Sequence, residues 1–264
     1  MSVHLRLRAA PPLRVDLRGL TPTAQLEGLT VTHGNETLRL AELFDATPGD
    51  GPADELVFAG DLSRFDRIGW QMASGSIVVH GAAGDYVGGA MSGGTVTVRG
   101  NAGDLAACEM AGGTLTIAGN VGDFAASTLP GSMDGMRGGT FIVHGDAGER
   151  FADRMRRGSA LVFGSVGDFA ASRMVAGTVA VGGTAGAHVG YGMRRGSVVL
   201  AGAAPQIAPT FVPALADAAV FWQLLARDLA RHGGPFATLP SRRIQRHLGD
   251  LGAGGKGELI VVDA

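Results

Sequence analysis

The middle of the amino-acid sequence repeats itself every 19 residues. A glycine ends each of seven β-like runs, and one step is lengthened to 26 residues by an insertion of seven near residues 129–133. These glycines are Gly81, Gly100, Gly119, Gly145, Gly164, Gly183 and Gly202. Methionine keeps the same spacing, at Met72, Met91, Met110, Met136, Met155, Met174 and Met193. A fixed period of about 20 residues is typical of solenoids, so each repeat is expected to form one coil.

Every repeat contains a short run in which polar and apolar residues alternate. In residues 95–99 and 114–118 the second and fourth positions are apolar, the pattern of a strand with one buried face. Nineteen residues are too few for two helices with their turns. We therefore expect an all-β core, a right-handed parallel β-helix of about seven 19-residue coils. In this fold the glycines would supply positive-φ corners and the methionines would fill the core.

The pattern divides the chain into three segments. Residues 1–57 are expected to form a small β-rich cap, residues 58–204 the β-helix, and residues 205–264 a C-terminal helix and tail. The helix is predicted near residues 213–231. Its apolar stripe is expected to comprise Val220, Phe221, Leu224, Leu225 and Leu229.

Composition excludes several classes of protein. With 45% hydrophobic and 17% charged residues, the 264-residue chain is too apolar to stay disordered, although 44 positions are glycine. A net charge of −2 argues against binding to nucleic acid or to an anionic membrane. Apolar runs fall short of the roughly 20 residues that span a bilayer, and no leader segment is recognised, so a cytoplasmic protein is expected. The lone Cys108 can form no internal disulfide.

One recurring acidic position resembles a catalytic or metal-binding row. Its members are Asp85, Asp104, Asp123, Glu149 and Asp168. Stacked carboxylates of this kind suit a metal or acid–base chemistry, but aspartate after glycine commonly caps its own turn, and we favour the cap. No histidine or cysteine cluster has metal-site spacing, and no nucleophile has an activating partner. We therefore expect no catalytic residue, metal or cofactor held by this chain alone.

The full repeat, Gly-x-x-Gly-x-x-x-(Gly or Ala)-x-x-Met-x-x-Gly, resembles that of two protein families. These are the C subunit of formylmethanofuran dehydrogenase and the C-terminal domain of the large glutamate synthase subunit. Residues 30–44 and 58–72 also resemble the dehydrogenase C subunit. The tail from Gly249 to Glu258 is similar to the bacterial form of that protein, found in the formyltransferase/hydrolase complex of methylotrophs. Alanine replaces the middle glycine at Ala107, Ala152 and Ala171.

This resemblance implies a non-catalytic scaffold in a hetero-oligomer. The complex would pass the formyl group of formyl-tetrahydromethanopterin to a methanofuran-type carrier and hydrolyse it to formate during formaldehyde oxidation. Hydrolase, formyltransferase and dehydrogenase-like subunits would be the partners, and the carrier and zinc would reside on them. Two alternatives stay open: a stand-alone structural subunit of the glutamate synthase type, and the C subunit of a true formylmethanofuran dehydrogenase.

Two surface features are candidates for contacts with partners. Outward strand positions form an apolar band, which either the C-terminal helix or another subunit is expected to cover. The band consists of Ile142, Leu161, Phe163 and Val199. A basic edge near the methionine corner consists of Arg137, Arg154, Arg156, Arg157, Arg194 and Arg195. This edge is either an ordinary solvated surface or a site for an acidic partner or for the glutamate-rich tail of a methanofuran-type carrier.

Overall fold

The computed structural model describes residues 1–203, 205–214 and 219–263. The N-terminal part is built from short strands. They are β1 (Val3–Leu7), β2 (Val15–Asp16), β3 (Thr30–His33), β4 (Glu36–Arg39), β5 (Phe44–Pro48), β6 (Glu55–Ala59) and β7 (Phe65–Asp66), with a four-residue helix α1 (Leu40–Leu43). Strand β1 pairs antiparallel with β5 and parallel with β6, while β4, β3, β2 and β7 form a separate sheet.

Seven parallel strands follow at the spacing of the repeat. They are β8 (Ser76–His80), β9 (Thr95–Val98), β10 (Thr114–Ile117), β11 (Thr140–Val143), β12 (Ser159–Val162), β13 (Thr178–Val181) and β14 (Arg195–Leu200). Each pairs with its sequence neighbours, so that Thr95 lies opposite Thr114 and Thr114 opposite Thr140. The insertion therefore lengthens the connection without changing the register. Strand β6 continues the series on the other side of β8.

A second line of parallel bridges runs beside this sheet. It joins Ala102 to Val121, Val121 to Ala147, Ala147 to Val166 and Val166 to Ala185. Two parallel lines with one repeat spacing are consistent with a β-helix. The prediction of an all-β chain with a mostly parallel sheet, few helices and a C-terminal helix and tail is confirmed. No helix in the three described ranges is long and apolar enough to cross a membrane.

The core explains the methionine spacing. All seven repeat methionines are fully buried in one continuous cluster with the inward strand residues. Methionine is unbranched and fills irregular gaps well. Each thioether methyl group lies beside a glycine of the following coil, as that of Met155 lies 3.1 Å from where a Gly177 Cβ would be. The predicted role in core packing is confirmed.

The glycines that end the strands have a different role from the one predicted. None of the seven has a positive φ, so the expectation of positive-φ corners there is wrong. Successive coils instead approach closely at this point: a Cβ on Gly100 would lie 2.7 Å from the carbonyl oxygen of Gly81. Positive φ occurs at the glycine before the strand, as at Gly94, where φ is 76°.

The recurring acidic side chains link neighbouring coils. Asp85 Oδ1 accepts a hydrogen bond of 3.0 Å from the backbone N–H of Asp104, and Asp104 Oδ1 accepts one of 2.8 Å from Asp123. Asp123 in turn accepts one of 2.8 Å from Glu149, across the insertion. The carboxylates thus satisfy the next coil rather than their own turn, and the expected turn cap is wrong.

The C-terminal segment returns to the large sheet. Its elements are β15 (Val212–Pro213), α2 (Ala219–Ala230), β16 (Ile244–Gly249) and β17 (Lys256–Val262), with 3₁₀ turns at Gly234–Phe236, Leu239–Ser241 and Leu251–Ala253. Strand β17 pairs parallel with β14 and antiparallel with β16. The tail therefore extends the parallel sheet beyond the last repeat.

Helix α2 buries a different stripe from the one predicted. Its buried residues are Trp222, Ala226 and Leu229, whereas Val220 and Leu224 are 76% and 65% exposed. Ala226 is small enough to let the helix approach the sheet closely, and Trp222 donates a 3.3 Å hydrogen bond to the Arg242 carbonyl. The predicted stripe is right for Leu229 and wrong for its exposed members, which also include Phe221.

Candidate binding groove

The arginine-rich edge forms a groove along one corner of the coils. Arg137, Arg156, Arg157, Arg194 and Arg195 line a space of about 560 Å³. Each follows a buried repeat methionine by one or two positions, so its side chain leaves the coil where the chain turns back to the surface. The intervening coil contributes Val175 and Ala176, which form an uncharged floor between the arginine pairs.

A second groove of about 270 Å³ adjoins the first. It is lined by Met133, Arg154, Arg156, Arg173, Val175, Gly192 and Arg194. Arg156, Val175 and Arg194 line both spaces, so the two grooves form one basic surface. All six arginines of the predicted edge therefore lie on this surface, which we call the arginine groove. Arg173 and Met133 are additional members.

Some of these arginines are already engaged. Arg156 forms an ion pair with Asp134, and Arg173 lies 2.5 Å from the carboxylate of Asp153, a nearly buried side chain. Arg154 contacts the Met133 sulfur at 2.9 Å. These contacts hold three arginine side chains against the protein surface, and they neutralise two of the charges.

The remaining charges of the groove are not neutralised locally. Arg137 donates only to the carbonyl oxygen of Glu109, at 3.3 Å. Within residues 1–203, 205–214 and 219–263, no carboxylate lies within 4.0 Å of Arg157, Arg194 or Arg195. A surplus of exposed guanidinium groups favours anionic ligands, and the planar fork of arginine matches a carboxylate in two-point contact.

The tail adds a basic residue that sequence reasoning missed. Strand pairing places Lys256 of β17 directly opposite Arg195 of β14, at the same edge. The two positions are 61 residues apart in the chain, so only the pairing of the tail with the last coil brings them together. A signal was present in the apolar run that follows Lys256, which is typical of a buried strand.

The rest of the described chain offers little chemistry beyond binding. In the part of the chain that the structure describes, no three His, Cys, Asp or Glu side chains lie close enough to hold a metal ion. Burial raises the pKa of the Cys108 thiol to about 12, so the sulfur is protonated at neutral pH and is a poor nucleophile.

The predicted apolar band lies under the C-terminal segment of the same chain. Leu161 and Val199 are fully buried in a cluster with Trp222 and Leu229 of α2. Ile142 and Phe163 are partly buried against this cluster, and the Phe163 ring meets that of Phe236 edge-on at 5.2 Å. Of the two covers predicted for the band, the chain itself provides one, and a partner subunit stays a prediction for the residues that are half-exposed.

The fold and the groove together define a class of protein: a parallel β-solenoid with a basic surface suited to binding. No family model matches the chain. The C subunit of the tungsten-containing formylmethanofuran dehydrogenase 2 of Methanothermobacter wolfeii is 33% identical over 80 residues, 29% of this chain and 30% of that relative. The C subunit of the formyltransferase/hydrolase complex Fhc of Methylorubrum extorquens is 43% identical over 88 residues, 30% of this chain and 32% of that relative.

A solved structure extends the similarity to nearly the whole chain. The alignments with the curated relatives span only about a third of their lengths. A chain of the X-ray crystal structure of the FhcABCD complex from Methylorubrum extorquens, in complex with methylofuran, has a TM-score of 0.91 and 41% identity, over 99% of this chain and 100% of that one. The chain belongs to the C-subunit family of formylmethanofuran dehydrogenases and formyltransferase/hydrolase complexes, as the repeat and tail predicted.

Proposed function

We propose that this chain is the scaffold subunit of a formyltransferase/hydrolase complex. The complex transfers the formyl group of formyl-tetrahydromethanopterin to a methanofuran-type carrier and hydrolyses it to formate, a step of formaldehyde oxidation. The observation that carries this proposal is the match to a chain of the FhcABCD complex over 99% of the residues. The chain acts in the cytoplasm beside hydrolase, formyltransferase and dehydrogenase-like subunits.

In this proposal the chain itself is non-catalytic. Zinc and the reacting end of the carrier belong to partner subunits, and this chain holds those subunits in fixed relative positions. A rod with one continuous core suits such a role, since repeat folds present extended, rigid surfaces. The high TM-score supports the same overall shape in a chain that was crystallised within a complex.

The finer architecture belongs to the same proposal. Residues 58–204 form a right-handed β-helix of about seven 19-residue coils, between an N-terminal cap (1–57) and a C-terminal helix and tail (205–264). The unchanged register across the insertion supports this division. Two elements join the segments: β6 spans the first boundary, and β17 carries the parallel pairing into the tail.

Two surfaces of the scaffold contact other components. The arginine groove binds an acidic partner or the glutamate-rich tail of the carrier, which the unneutralised Arg157, Arg194 and Arg195 support. The exposed parts of Ile142 and Phe163 contact a neighbouring subunit at the edge of the covered band. No reaction step takes place on either surface.

The test of the scaffold role is isolation of the native assembly through a tag on this chain. Native mass spectrometry is expected to find three other proteins, and formyl transfer followed by formate release is expected from the assembly but not from the chain alone. Recovery of tungsten-containing redox subunits would favour the alternative of a true formylmethanofuran dehydrogenase, which the 33% identity to the C subunit of that enzyme supports. Recovery of the chain free of partners would refute the scaffold role.

The groove is tested by a matched pair of double variants in that assembly. Arg157→Ala with Arg195→Ala removes two unneutralised charges from the groove, and Arg6→Ala with Arg99→Ala removes two from exposed positions elsewhere. Loss of a subunit from the first variant identifies an acidic partner, and loss of the carrier with all subunits kept identifies the carrier tail. Equal behaviour of the two variants would refute a binding role for the groove.

A further inference from the structure

The seven-residue insertion reaches back into the arginine groove. Met133 and Asp134 lie at its end, and both contact arginines of the next coil: Met133 contacts Arg154, and Asp134 pairs with Arg156. The backbone is anchored there too, because Gly135 N–H donates a 3.0 Å hydrogen bond to the Arg154 carbonyl. The insertion therefore places one carboxylate within a surface that otherwise presents unneutralised arginines.

Arg156 occupies a central position in this surface, since it lines both parts of the groove. Its ion pair with Asp134 is open to solvent, with side-chain exposures of 47% and 36%. Ion pairs exposed to this extent contribute little stability, because both charges are well hydrated when apart. A ligand that brings several carboxylates can therefore replace Asp134 at Arg156 at small cost.

We propose that Asp134 is an internal competitor for the ligand of the arginine groove. The inference rests on the groove proposal above and adds that the ligand is a chain of carboxylates, one of which takes the place of Asp134. A single carboxylate gains nothing from that exchange, because one pair is lost when another forms. A chain that also reaches Arg157, Arg194 and Arg195 gains several contacts, so the competitor favours ligands with many carboxylates.

The size of the effect follows from the exposure of the pair. Removing the competitor is expected to tighten binding by about two- to fivefold, the range that exposed ion pairs allow. General electrostatics would also tighten binding when any nearby negative charge is lost. The two explanations differ in one respect: only competition requires Arg156.

The experiment measures binding of an octaglutamate peptide to the full chain by fluorescence anisotropy, with octaglutamine as the uncharged probe. Asp134→Ala is expected to bind octaglutamate about two- to fivefold more tightly than the wild type. Asp228→Ala is the matched control, since it removes an exposed aspartate paired with an arginine on α2 and should leave affinity unchanged. Circular dichroism checks that each variant keeps its fold.

A double-mutant cycle with Arg156→Ala decides the mechanism. Under competition, Asp134→Ala has no further effect on affinity once Arg156 is absent. If it still tightens binding there, the effect is long-range and the competitor role is overturned. If the wild type binds octaglutamate but Asp134→Ala binds equally, the inference fails while the groove proposal stands. If no variant binds, both fail, and the scaffold role is still judged separately by isolation of the complex.

Discussion

Replacement of one buried methionine tests whether the repeat is a packing unit. Met155 is fully buried, and Met155→Ala removes three side-chain heavy atoms from the centre of the rod. The coils above and below are held at fixed spacing by the paired strands β11, β12 and β13, so they cannot move in to close the cavity. Buried Met→Ala changes cost about 2–5 kcal/mol, and poor relaxation here places the expected cost at about 3–5 kcal/mol.

The measurement is urea unfolding of the full chain, followed by circular dichroism. With a slope of about 3 kcal/mol per molar, the midpoint should fall by about 1–1.5 M. Met155→Leu keeps the volume and should cost less than about 1.5 kcal/mol. Met133→Ala, at a position 67% exposed, should change stability by less than about 0.5 kcal/mol. If Met155→Ala were as stable as Met133→Ala, the packing role would be refuted.

Three further predictions concern the thiol, the tail and the helix. Because the folded pKa of Cys108 is about 12, above its unfolded value, its contribution to stability is intact below about pH 8.5 and is lost by about 1.4 kcal/mol per pH unit above it; the wild type's advantage over Cys108→Ala in urea should shrink between pH 8 and 10.5. Glu258 accepts from Ser197 at 2.5 Å and from Arg246 at 2.8 Å, so Glu258→Gln should cost about 2–3 kcal/mol and speed hydrogen exchange in β17 but not in β9; equal exchange in both strands would contradict it. Trp222→Ala should release α2 to limited proteolysis, whereas the exposed Val220→Ala should not.

The periodic part of the fold was predictable because one constraint recurs in every coil. A 19-residue spacing of methionine can persist only if each occupies the same environment, and the buried column is that environment. The alternation within the strands likewise identified the inward residues, such as Val96 and Val98. The arginines of the groove follow from the same register, since their distance from the nearest repeat methionine sets the side of the coil on which they emerge.

The non-periodic parts were harder to predict, since long-range contacts determine them. The exposed face of α2 contains the larger aliphatic residues, and only the docking of Trp222 and Ala226 on the sheet decides which face is buried. Strand β17 joins β14 across 61 residues, a pairing that no local pattern encodes. The strand-ending glycines have ordinary φ values because the approach of neighbouring coils, and not local backbone geometry, requires them.

The side-chain ladder of Asp85, Asp104, Asp123 and Glu149 has a consequence for how such a rod can evolve. The contact from Asp123 to Glu149 spans 26 residues, yet at 2.8 Å it is as short as the contact from Asp104 to Asp123, which spans 19. The ladder thus registers height along the rod, and it is indifferent to how much chain lies between two rungs. Loops of new length can enter at a coil corner without disturbing the pitch, so one rigid frame can acquire a succession of different surfaces.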